Sequence, residues 1–483
     1  MLLFSHLFYL SLLFLNSILD TIYSILYFSI LYFYLLCQKK GGVFITKKVA
    51  LKTLGCKVNQ YETESILNFF KDKGFQIVDF QQNADIYIIN TCTVTQEADR
   101  KSKQMIRKAI RQNRKSKIIV TGCYAQSDYE DLQKIEGISL IAGNGEKNEI
   151  LQQLEKIDFH DMVIRVKPAK YLKKYDNVLK NKSSSLHTRA WLKIQDGCNR
   201  FCTYCKIPYV RGPARSRSVE DVLEEVSHLS GNRVKEVVLT GINLGTYGRD
   251  IDNGKTNLAK LISLIGNIKG IERIRLSSIE LIDIDAELLD VFEKYSKFCH
   301  HLHIPLQNGD DKILTLMNRP YDTSIFYQKI SLIKETIPDI AITTDIMVGF
   351  PNEDINSFAK TVNFARKMCF AKIHVFKYSN RKECVAVLLP NKVDNRTKKE
   401  RSKELQELSK ELFYDFQKNY LNSISEILVE DEIKDEEGRM YSRGVTSNYI
   451  KVIIPDFTGK KGEIVSVKLN QISSNYIVSS VQT

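Results

Sequence analysis

Six cysteines of this 483-residue chain sit where they could do metal chemistry. Cys198, Cys202 and Cys205 fall inside GCNRFCTYCK, four and then three residues apart, and no further cysteine follows until Cys299. A structural zinc site wants four protein ligands, and a three-ligand catalytic zinc fits an all-cysteine loop poorly. Three thiolates in one short loop can instead hold three irons of a [4Fe–4S] cluster, leaving the fourth open for a substrate to chelate. The other three are far apart in sequence: Cys56 in TLGCKVNQYETES, Cys92 in INTCTVT and Cys123 in VTGCYAQ. A single buried cysteine is ordinary core material. Three that each end an apolar run ask for one fold position that gathers them.

The elements around them supply that position. KKVALKTL (47–54), DIYIIN (85–90) and KIIVTG (117–122) read as strands, each ending at one of these cysteines and followed by a helix. VNQYETESILNFFKDKG reads as a helix with Ile66, Leu67, Phe69 and Phe70 as its stripe and Gly74 as its stop. Strand–cysteine–helix repeated in this way predicts an α/β domain with a parallel sheet over residues 47–150, its cysteines at the carboxyl ends of the strands, where ligands gather. Residues 151–186 are polar and basic and read as a linker. From residue 187 to 418 the alternation resumes, with strands at WLKIQ (191–195), KEVVLTG (235–241), RIRLSS (273–278), HLHIPL (301–306), AITTDIMVG (341–349) and KIHVFKYS (372–379). About six βα units predict a partial barrel whose site lies at the strand C-termini. Residues 419–483 carry five short alternating runs, the pattern of a small antiparallel β-barrel.

The net charge is +13. Residues 97–117 hold nine Lys/Arg against Glu97 and Asp99, residues 165–193 nine against Asp176, and residues 206–217 four (Lys206, Arg211, Arg215, Arg217) against none. Such clusters suit a phosphate backbone; the plainer reading of each is a solvated face. Ten cysteines scattered singly argue for a reducing cytosol rather than a secreted disulfide framework. Residues 1–37 are nearly all apolar and long enough to span a bilayer, but lack a basic start and a cleavage site. Their Phe, Leu, Ile, Tyr and Ser are what AT-rich non-coding DNA spells. On that reading residues 1–42 are not translated and Val43 is a GTG start; a membrane role enters only if residues 1–37 are made.

Cys198-x₃-Cys202-x₂-Cys205, with Tyr204 before the last cysteine, resembles the radical S-adenosylmethionine motif, in which methionine's amino and carboxylate groups bind the open iron. Together with the upstream triad, the chain from about residue 47 onward resembles the methylthiotransferase family. TLGCKVNQYETE is most similar to the branch acting on N6-threonylcarbamoyladenosine in tRNA; the alternatives are the isopentenyladenosine branch and the branch acting on a ribosomal-protein aspartate. The resemblance implies two [4Fe–4S] clusters, one on Cys56, Cys92 and Cys123 and one on Cys198, Cys202 and Cys205. It also implies two molecules of S-adenosylmethionine per turnover, a terminal barrel of the TRAM type that helps bind substrate, the tRNA anticodon stem-loop as partner, unnamed electron and sulfur donors, and a cytoplasmic enzyme. Tyr204, Gly241, Ser278, Glu280 and Gln307, in or after the motif and barrel strands, are the expected cofactor contacts. SSIEL, HIPLQNGDDKIL and MNRPY also resemble the family. Lys377-Tyr378-Ser379 and Glu383-Cys384-Val385-Ala386 depart from its usual text, in a loop expected near the mouth of the site.

Overall fold

The apolar runs of the N-terminal region become strands, and shorter ones join them. In the computed structural model, which describes residues 47–156, 161–175, 188–434, 438–473 and 476–482, six strands lie parallel in the order β2-β1-β3-β4-β5-β6. They are β1 (Lys48–Thr53), β2 (Gln76–Val78), β3 (Ile86–Thr91), β4 (Lys117–Gly122), β5 (Leu140–Ala142) and β6 (Val163–Arg165). Every residue of β3 is buried, as a parallel strand covered on both faces requires. Ile86, Ile88 and Ile119 pack with Ile66 and Phe70 on one face. Tyr87, Ile89, Ile118 and Val120 pack with Ile106 and Ala109 on the other. The proposed start at Val43 falls outside the described residues.

Two expectations need correcting here. The stretch from residue 151 is not all linker: a helix runs Ile150–Lys156, and β6 adds a sixth strand to the sheet. A three-residue strand is too short to show an alternation. The helix Lys57–Asp72 also buries more than an apolar stripe, with Asn59, Glu62 and Glu64 inside while Leu67 and Phe69 stay partly open. It is wedged against a second body, since Tyr61 donates from its hydroxyl to Glu225 at 3.0 Å.

That second body is the barrel. Strands β7 (Arg189–Lys193), β10 (Glu236–Thr240) and β11 (Arg273–Leu276) pair in parallel, as do β12 (His301–His303), β13 (Ala341–Val348) and β14 (Lys372–Lys377). Parallel bridges Ile274–Phe298 and Ser278–His303 join the two sets into one curved wall. A short antiparallel pair, β8 (Gln195–Asp196) and β9 (Arg215–Ser216), brackets the cysteine loop. The outer helices start where the sequence supplies an oxygen for the first free amides: Ser218, Asn257, Asp285, Asp322, Asp354 and Asp394 each cap one.

The five terminal runs form a closed barrel of β15 (Ile424–Lys434), β16 (Met440–Thr446), β17 (Lys451–Pro455), β18 (Ile464–Ser473) and β19 (Tyr476–Val481). Four pairings are antiparallel, and β17–β19 closes the ring in parallel. Arg273 and Arg275 of β11 hold it in place, donating to the carbonyls of Val445 at 3.0 Å, Glu426 at 2.8 Å and Ser447 at 2.8 Å.

Candidate active site

The upstream triad is gathered by sheet register. Thr53 pairs with Asn90 and Thr91 with Gly122, so the residues that follow β1, β3 and β4 emerge at one edge. Cys56 is exposed there, while Cys92 and Cys123 are buried. Gly55 lies so close to Cys92 that a side chain on it would sit 3.0 Å from the Cys92 sulfur. Gly122, at φ +95°, turns the chain into the helix that Cys123 opens, where a Cβ would strike the Thr91 carbonyl at 2.4 Å. Asn59 ties the edge together, donating to the carbonyls of Leu54 at 2.7 Å and Thr91 at 3.0 Å. Burial, and then the neighbouring Cys123, push the Cys92 thiol up to about 12. Mutually opposed thiolates in a dry place are what a cationic iron centre would relieve.

The downstream triad sits on a loop held at both ends. Gly197 takes φ +72° within 2.0 Å of the Pro213 carbonyl, measured from an added Cβ. The Cys198 amide donates to Gly212, and Thr203 is clamped to Met317 and Leu316. Arg319 reaches into the loop: it donates to the Cys202 sulfur at 3.4 Å, the Tyr204 hydroxyl at 3.4 Å and Glu280 at 3.2 Å. Burial first, and the other two cysteines after it, hold the Cys205 thiol well above the usual thiol range. Among the described residues no three His, Cys, Asp or Glu side chains converge on a single ion. Ligands that bind three different irons of one cluster need no such convergence.

The expected cofactor contacts divide. Tyr204 and Gln307 line one chamber of about 160 Å³ together with Thr93, Thr95, Cys205, Asp345, Met347, Phe376 and Ser379. Gln307 is held at φ +70° by backbone bonds to Asp345 and Met347. Glu280 is bound by Arg319, one step from Cys202. Ser278 bridges to His303 on the barrel wall. Gly241 backs onto Gln195, 3.0 Å from an added Cβ, and Gln195 in turn accepts from the Asn243 amide and donates to the Gly197 carbonyl. The chamber therefore has two lips, one following Cys92 and one carrying Cys205.

Residues 48–143 match an uncharacterized protein family, UPF0004, and residues 192–365 match the Radical SAM superfamily. A Bacillus subtilis protein named threonylcarbamoyladenosine tRNA methylthiotransferase MtaB is 40% identical over 87% of this chain and 93% of its own. An Aquifex aeolicus protein of the same name is 38% identical over 84% and 96%. This chain belongs to the radical S-adenosylmethionine methylthiotransferase family. A Thermodesulfovibrio yellowstonii member named tRNA-2-methylthio-N(6)-dimethylallyladenosine synthase is 38% identical over 88% of this chain and 96% of its own. In fold, the enzyme is similar to the radical S-adenosylmethionine methyltransferase TsrM of Kitasatospora setae, with a TM-score of 0.50 at 14% identity over 68% of this chain and 73% of that one.

The enzyme joins its two triads through buried charge, which overturns one expectation. Lys206, Arg211, Arg215 and Arg217 are not a surface for RNA; all four are buried. Arg211 donates to the Cys123 sulfur at 3.3 Å, to Glu62 at 2.9 Å, to Asp196 at 3.1 Å and to Asn59 at 2.6 Å. Lys147 and Lys193 complete the shell around Glu62. Burial opposes the Glu62 carboxylate, yet Arg211, Lys147 and Lys193 hold its pKa well below the ordinary range. Arg217 pairs with Glu225 at 2.6 Å. Sequence reasoning passed over Asn59, Glu62 and Asp196 because a polar or charged residue reads as solvated until a partner is seen. The unusual loop is a second clamp: Arg381 donates to Asp99 and Thr93 at 2.6 Å each, Ser379 accepts from the Gln96 amide at 3.1 Å, and Glu383 meets Lys206 at 3.2 Å. No helix among the described residues is long and apolar enough to cross a membrane.

Proposed function

We propose that this enzyme methylthiolates C2 of N6-threonylcarbamoyladenosine beside the anticodon of tRNA, in the cytoplasm, consuming two molecules of S-adenosylmethionine. Cys198, Cys202 and Cys205 hold one [4Fe–4S] cluster, and Cys56, Cys92 and Cys123 hold a second. The observation that carries this is the shared chamber, whose walls come from the residues after Cys92 and from Tyr204–Ile207. The names of the Bacillus subtilis and Aquifex aeolicus relatives support the threonylcarbamoyl substrate, while that of the Thermodesulfovibrio yellowstonii relative points to the dimethylallyl alternative.

When bound, the clusters and S-adenosylmethionine supply the radical, the methyl group and the sulfur. The protein's own part is placement. Arg319, anchored by Tyr321 at 2.9 Å, fixes the Cys202 loop against the barrel. Arg211 holds the Cys123 edge against residues 196–217. Met347 and Phe376 give the chamber an apolar wall. The open basic face of the helix Gln96–Gln112, with Arg100, Lys101, Arg107 and Arg111 exposed, faces solvent where a phosphate backbone could lie.

The test is mass spectrometry of nucleosides from total tRNA in a host without methylthiotransferases that makes both modified adenosines and expresses this chain. A new 2-methylthio-N6-threonylcarbamoyladenosine peak is expected. A 2-methylthio-isopentenyladenosine peak instead would overturn the substrate, and no new tRNA peak with cofactor cleavage intact would redirect the reading to a protein substrate. Cys198→Ala is expected to abolish cofactor cleavage, and Cys92→Ala to abolish methylthiolation while cleavage persists.

A further inference from the structure

The inner wall of the barrel is a ladder of period two. On β12 it presents His301 and His303; on β13 Thr343, Asp345 and Met347; on β14 Lys372, His374 and Phe376. Register aligns the rungs, with Thr343 opposite Lys372, Asp345 opposite His374 and Met347 opposite Phe376. The upper rungs line the chamber between the two triads. The lower rungs line a second cavity of about 420 Å³, closed by Lys57, by Phe413 and Phe416 of the last barrel helix, and by Tyr449 of the terminal barrel. Asp345 belongs to the upper cavity and His303 to the lower, and they touch at 3.2 Å. The two spaces follow one strand face.

The lower cavity holds buried polar atoms without partners. His301 is 5% exposed and Ser277 7%, and neither the His301 Nδ1 nor the Ser277 hydroxyl has a partner among the described residues. A buried polar atom left unpaired is costly, so a pair of them in one cavity wall marks a place for a polar ligand. Lys57, half-buried and next in sequence to Cys56, makes no hydrogen bond or ion pair among the described residues. The carboxylates nearby are already taken: Glu236 by Arg275 at 2.7 Å, with Arg189 and Arg273 each at 3.9 Å, and Asp345 by His303. Tyr449 is held in place by the stacked His301 ring at 4.7 Å and by Arg275 above it. Lys372, Lys410 and Lys451 stand exposed at the rim. A cavity with one lysine in its wall, three more at its rim, two unpartnered polar atoms and no free acid fits a small carboxylate.

Resting on the substrate named above, we propose that this lower cavity receives the threonylcarbamoyl arm of the target adenosine, with its carboxylate against Lys57 and its hydroxyl and urea groups within reach of Ser277 and His301. The adenine itself lies in the upper chamber. The site selects the acidic arm over an apolar one because only the former satisfies the buried polar groups.

The experiment compares anticodon stem-loop RNAs carrying threonylcarbamoyladenosine, its primary amide, or isopentenyladenosine, with the holoenzyme and with Lys57→Met and Ser277→Ala. For the wild type, kcat/KM should fall on the order of 10- to 100-fold from acid to amide, the worth of a charged hydrogen bond. Lys57→Met should bring that acid-to-amide ratio near one, whatever its absolute rate. Ser277→Ala should lower turnover of both RNAs and leave the ratio unchanged. Equal use of acid and amide by the wild type, or an unchanged ratio in Lys57→Met, overturns the cavity assignment alone. Turnover of the isopentenyl RNA with none of the other two overturns the substrate reading and the assignment with it.

Discussion

The helix Gln96–Gln112 and the stretch 206–217 are both rich in lysine and arginine, and neither pattern alone says where they go. On the helix the Arg100 and Lys101 side chains are 66% and 58% exposed. In the stretch, Arg211 is 0% and Arg217 1% exposed. The difference lies in the acids each one meets. The helix meets its own Glu97, the partly exposed Asp131 and the solvent. The stretch meets Glu62, Asp196 and Glu225, which come from the N-terminal helix, the short pair beside β7 and the first barrel helix. A charge in water costs little and earns little; a charge in the interior persists only with its partners in place.

The largest effect that would sharpen this contrast is at Arg211. Arg211→Met leaves Glu62 and Asp196 short of a partner and is expected to destabilise the protein by about 3–5 kcal/mol, read as a shift in urea midpoint. It should also lower the iron content of the reconstituted enzyme. A wild-type midpoint would break the comparison. Next comes acid lability. The folded pKa of Glu62 is depressed, so the stability it contributes is complete above its unfolded value of about 4.3 and is lost as pH falls through the folded value. Glu62→Gln should therefore be less stable than wild type at neutral pH, with the gap closing as pH drops below about 4, as followed by thermal melts. Exposed charge should behave differently. Combined Arg107→Ala, Arg111→Ala and Arg114→Ala is expected to leave the melting temperature unchanged while weakening tRNA binding and lowering the salt slope by about 2–3. The smallest effect belongs to Arg100→Ala, which removes an exposed pair with Glu97 at 2.6 Å and should leave melting within error of wild type while weakening tRNA binding less than the triple variant does.

Much of the fold could be read from the chain, because strand periodicity and cap residues are local. DIYIIN became β3, AITTDIMVG became β13, and the five terminal runs became the five strands of the closed barrel. What escaped was either short or depended on partners. β5 and β6 have three residues each, less than an alternation needs. Gly241 could be marked as a place of close approach, but not that the approaching group would be Gln195. Arg319, which joins Cys202, Tyr204 and Glu280, stands in MNRPY as one more arginine, since the bond it makes spans 117 residues of chain.

The chemistry was determined by the sequence. Three cysteines at fixed spacing in one loop, and three more at the ends of apolar runs, limit what can bind, because ligand type and spacing are covalent facts. That the residues after Cys92 and those around Cys205 would line one chamber was decided only by the tertiary structure. So was the role of each basic stretch, as surface or as buried anchor. Burial and partnership belong to the packed state: a guanidinium has the same formula in solvent and in the core, and only the arrival of Glu62 and Asp196 beside Arg211 makes it part of the frame.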